Sequence, residues 1–70
     1  MKRKQIKKLA SEIAGCELIR SKESSSKEEI SRSEHRILQI TNLVLCLPDG
    51  INVMSEIDEE VQRLLTTNNS

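Results

Sequence analysis

The apolar residues of this chain return at alternating intervals of three and four, a rhythm that fits helices packed along one face. The first series is Ile6, Leu9, Ile13 and Cys16, with Ala10 beside it. The second is Ile30, Ser33, Ile37, Ile40, Val44 and Leu47, and the third is Met54, Ile57, Val61 and Leu64, with Leu65 alongside. Ser-Lys-Glu-Ser-Ser-Ser at 21–26 separates the first two and holds no apolar side chain. Pro48-Asp49-Gly50 separates the last two, and the proline disfavours helical geometry at Leu47 before it. The expected layout is one small all-α domain over 1–70. Its helices lie at about 4–20, 27–46 and 55–65, with a polar loop at 21–26, a turn at 47–51 and a frayed tail at 66–70.

The local signals agree with these boundaries. Ser26 followed by Glu29 makes a capping box at the start of the second helix. Asn52 or Ser55 can cap the third, and Glu56, Asp58, Glu59 and Glu60 crowd its first turns, where the helix dipole favours negative charge. Gly15 interrupts the first helix at a cost of about 1 kcal/mol against alanine, and its missing side chain would let another backbone come close. The second series is the densest. Leu38, Thr41 and Leu45 widen it on one flank, and Leu43 and Leu47 on the other, which predicts a central helix covered by two neighbours. A β-hairpin over 43–54, turning at Pro-Asp-Gly, is the rival reading; helix is preferred because the seam runs back unbroken to Ile30.

Size and composition then limit what such a chain can do. Seventy residues bury little relative to the surface they keep, and a core without a single Phe, Tyr or Trp is built from small aliphatic pieces. A lone protomer is marginal, so a protein partner is expected, with a second copy in a homodimer as the first candidate. The missing aromatics also remove the stacking platforms used for single-stranded nucleic acid.

Formal charge balances at zero, with 11 basic and 11 acidic residues, but it is spread unevenly. Lys2, Arg3, Lys4, Lys7 and Lys8 precede any acid, whereas Asp49, Glu56, Asp58, Glu59 and Glu60 dominate the end. The basic head could meet phosphates, or the acidic tail of another copy. No apolar run approaches a membrane span, and the head lacks the apolar block of a secretory signal. Cys16 and Cys46 sit among apolar residues and are read as reduced, mostly buried thiols of a cytoplasmic protein.

Chemistry finds little support. His35 is the only histidine and is expected on the polar face of the second helix. No nucleophile comes with a partner at a recognisable spacing. Zinc-ligand spacing is missing, and the acidic run from Glu56 to Glu60 does not follow a calcium loop. No glycine-rich phosphate loop is present. The expectation is therefore an all-α, antiparallel helical hairpin with a short third helix, self-associating, without cofactor, metal or catalysis. It would serve as a cytoplasmic interaction or regulatory module whose buried centre and contact surface include Ile37, Ile40, Val44 and Leu47. The alternative is a nucleic-acid-binding accessory protein using Lys2, Arg3, Lys4, Lys7 and Lys8 against phosphates.

Overall fold

The structure, a computed structural model, describes residues 2–68, for residue 68 the backbone only. Three α-helices follow one another: α1 (Arg3–Ser21), α2 (Lys27–Leu45) and α3 (Gly50–Asn68). Among the described residues there is no strand, so the 43–54 region is helix, turn and helix rather than a hairpin of strands. No helix is long and apolar enough to cross a membrane among the described residues.

The start of α2 follows from its capping residues. The Ser26 hydroxyl accepts from the Glu29 backbone N–H at 3.2 Å, and the Glu29 carboxylate accepts from the Ser26 backbone N–H at 3.2 Å. Two of the orphan donors at this helix start are thus paired.

The start of α3 departs from expectation. The helix begins at Gly50, five residues earlier than the expected start at 55, because Asp49 opens it. The Asp49 carbonyl accepts from the Val53 N–H at 3.0 Å, and its carboxylate accepts from the Asn52 amide at 2.8 Å. The Gly50 N–H in turn donates to the Leu47 carbonyl at 3.0 Å, so only a few residues connect the two helices. At Gly50 the backbones come so close that a Cβ would collide with the Val44 carbonyl oxygen and lie 2.8 Å from the Leu45 Cα. Glycine is required there by space, not by an unusual φ. Gly15 is the opposite case: nothing lies within 4 Å of where its Cβ would stand, so within this chain no backbone exploits it. At the other end α3 runs on through Thr66 and Thr67, which the sequence reading placed in the tail, while 69–70 lie outside the described residues.

The core joins Ile6, Ala10, Ile13 and Ala14 of α1 to Ile40 and Val44 of α2 and Val53, Ile57 and Val61 of α3. Ile57 and Ile40 are its best-covered large side chains, at 0% and 1% exposure. The expected seams are shifted slightly on two helices. On α1 the buried face turns toward Ala10 and Ala14, leaving Leu9 only partly buried; small side chains let neighbouring helices approach most closely there. On α3 it centres on Val53, Ile57 and Val61 rather than Met54, because the helix already includes Val53.

α1, not α2, occupies the central place. It packs along both other helices, while α2 and α3 touch less extensively. The broad stripe on α2 therefore exceeds what the fold covers.

Candidate interaction surface

What α2 fails to bury is concentrated toward its C-terminal end. Leu38, Leu43, Leu45 and Leu47 are 58%, 65%, 49% and 39% exposed, and Ile51, just past the turn, is 81% exposed. At 100° per residue, Leu38 and Leu45 lie on the side of α2 turned away from Ile40, while Leu43 lies on the flank toward α1. A helix end that is apolar on several sides normally belongs inside something larger.

Leu43, Leu45, Leu47 and Ile51 border two adjoining depressions that meet at Leu47, whereas Leu38 lies outside both. Leu9, Arg36, Ile40, Leu43, Val44 and Leu47 line an open groove of about 350 Å³. Leu47 also borders the neighbouring depression, shared with Leu45, Pro48, Asp49 and Ile51. From Ile37 to Ser55 the chain carries a single charged residue, Asp49, although 22 of the 70 residues are charged. The strip they form is therefore a mostly apolar surface on a densely charged molecule, with Arg36 at one edge and Asp49 at the other.

The four positions expected to form the buried centre separate. Ile40 and Val44 are buried, Ile37 is half-buried against the core, and Leu47 stands at the surface. Leu9, Leu43 and Ile51 were not singled out for this surface from the sequence. The near absence of charge between Ile37 and Ser55 was the signal that could have found two of them.

The basic head divides as well. Arg3 and Lys7 line a small cleft of about 100 Å³ with Glu56, Glu59 and Glu60 of α3. Acids of the same chain thus face part of the head. Glu60 is held below the ordinary carboxylate range, chiefly by the hydrogen bond from Arg63 at 2.7 Å; partial desolvation opposes this, and the charges of Arg63, Lys7 and Arg3 add to it. Lys8 sits elsewhere, beside Leu9, Gln5, Glu12 and Arg36 at the edge of the apolar groove. Lys2 and Lys4 are exposed.

The remaining candidates are dispersed. His35 is exposed on α2, beside Ser31, Arg32, Arg36 and Gln39. Among the described residues no cluster of three or more His, Cys, Asp or Glu could hold a metal ion. Both thiols are free, but neither is buried in the core as expected: Cys16 is half-buried and Cys46 exposed. The reason is the same turn of the helices. Cys16 lies off the Ala10 and Ala14 face, and Cys46 caps the end of α2.

No family model, curated protein or solved structure matches this chain.

Proposed function

We propose that this chain is a small protein-interaction or regulatory module, self-associating and without catalytic activity. Its contact surface would be the apolar end built by the last turns of α2 and the turn into α3. The observation that carries this reading is the exposure of Leu43, Leu45, Leu47 and Ile51 in a stretch with one charge. Burying a large aliphatic side chain contributes about 2 kcal/mol, so several left in water at one end represent a large unused driving force.

Pairing of α1 and α2 as an antiparallel hairpin belongs to this reading. Two ion pairs support it: Arg20 meets Glu34 at 3.7 Å and Glu12 meets Arg36 at 3.1 Å, so partner order reverses between the helices. A reducing compartment, the cytoplasm, suits the two free thiols. Nucleic-acid binding by the basic head is the weaker reading, since Arg3 and Lys7 face carboxylates of α3 and leave Lys2, Lys4 and Lys8 for phosphates.

Light scattering over about a thousandfold range of concentration tests the proposal. The expected result is a mass rising from the monomer's 8.0 kDa toward twice that value. A constant monomer mass would overturn self-association.

A further inference from the structure

The apolar strip has opposite charges at its two ends, and this identifies what can cover it. At the α1 end, Lys8 stands beside Leu9 and Arg36, and Arg36 is already paired with Glu12 and Gln39. At the turn end, Asp49 stands beside Leu47 and Ile51 and is the single charge between Ile37 and Ser55. Leu43 and Leu47 lie between these ends along the groove. A surface that is basic at one end, apolar in the middle and acidic at the other is complementary to itself turned end for end. That is the requirement of a twofold contact, in which each residue meets the partner's copy of a different one.

We infer that the occupant of the groove is a second copy of this chain, docked about a twofold axis with Ile51 as the knob and the Leu9, Leu43 and Leu47 groove as the hole. The inference rests on the self-association proposed above and specifies its geometry. Ile51 is 81% exposed, so most of it protrudes from its own protomer. The groove floor is formed by Ile40 and Val44, buried residues of the core and therefore a firm base. The same rotation that seats each Ile51 brings Asp49 of one protomer toward Lys8 of the other. Between the ends the strip carries no charge of its own at Leu43, Leu47 and Ile51, and Arg36 at the groove's edge is paired with Glu12.

The test is sedimentation equilibrium on the full chain and its variants. Ile51→Asp is expected to weaken self-association by at least about tenfold with helical circular dichroism retained. An acid at this position suits the first turn of α3, so loss of fold is not expected. Lys8→Asp and Asp49→Lys are each expected to weaken association several-fold, and the chain carrying both changes is expected to recover most of it. Asp49 also accepts from Asn52 at the helix start, and Lys8→Asp gives the same reading without touching that bond. A dimer unaffected by Ile51→Asp would overturn this geometry and leave self-association standing. Single swaps that weaken the dimer without recovery in the double variant would also overturn it. A wild-type chain that is monomeric throughout would overturn the inference and the function proposed above together.

Discussion

The two connections of this chain are made from opposite materials. Between α1 and α2 the backbone passes through serines, lysine and glutamate, and the Ser26–Glu29 capping box pairs the exposed donors at the helix start. Between α2 and α3 it passes through Cys46, Leu47, Pro48 and Asp49, flanked by Leu45 and Ile51, with apolar side chains standing in water. The first connection spans residues 22–26 and has no glycine in it. The second is so tight that Gly50 lies against the Val44 carbonyl. A polar, capped loop is a finished outer surface, whereas a closely packed turn with exposed apolar side chains leaves surface for something else to cover. On this account one end of the bundle faces solvent and the other faces a partner.

Substitutions can break this contrast to different extents. Ile40→Asp removes both ends at once, because it places an unpaired charge at a site only 1% exposed beneath the groove. The expected cost exceeds about 4 kcal/mol, with loss of helical circular dichroism. An unchanged spectrum would contradict the assigned core. Gly50→Ala strikes the apolar turn alone. Its methyl group has to displace backbone of α2, and destabilisation of about 1–3 kcal/mol is expected from denaturant titration. Gly15→Ala is its control: open space surrounds that position, so a gain of about 0.5–1 kcal/mol from helix propensity is expected. Ser26→Ala strikes the polar connection, removing one half of the capping box, and should cost about 1 kcal/mol.

The smallest effect concerns the Glu60–Arg63 pair. The folded carboxyl titrates below its ordinary range, so its contribution to stability is fully present above that range and is lost as pH falls through the lowered value. Arg63 lies at the surface and Glu60 is half-buried, so with one partner open to solvent the change in stability should be slight, but the titration itself is measurable. Arg63→Gln is expected to move the Glu60 carboxyl back up toward the ordinary range in an NMR pH titration.

Helix type, number and the Ser26 boundary could be read directly from the sequence, because period and cap chemistry are local properties. The central position of α1 could not. It depends on how closely helices approach at Ala10 and Ala14, and a seam defined by large side chains undervalues alanine. The start of α3 was hidden for a related reason. Pro48 was correctly read as the end of α2, but Asp49 as the opening residue of the next helix requires knowing that Gly50 tolerates the close backbone. For the surface, the excess of apolar residues on α2 was evident, but its assignment to exposed flanks was not. A broad stripe looks the same whether the covering neighbour belongs to the same chain or to another. Leu9 joins the strip only through the packing of α1 on α2.

Amide chemical shifts followed across a dilution series compare the two ends most directly. The account predicts concentration-dependent shifts at Leu9, Leu43, Leu47 and Ile51, with Ser24, Ser25 and Ser26 unchanged. Shifts confined to the serine connection, or spectra identical at every concentration, would contradict it.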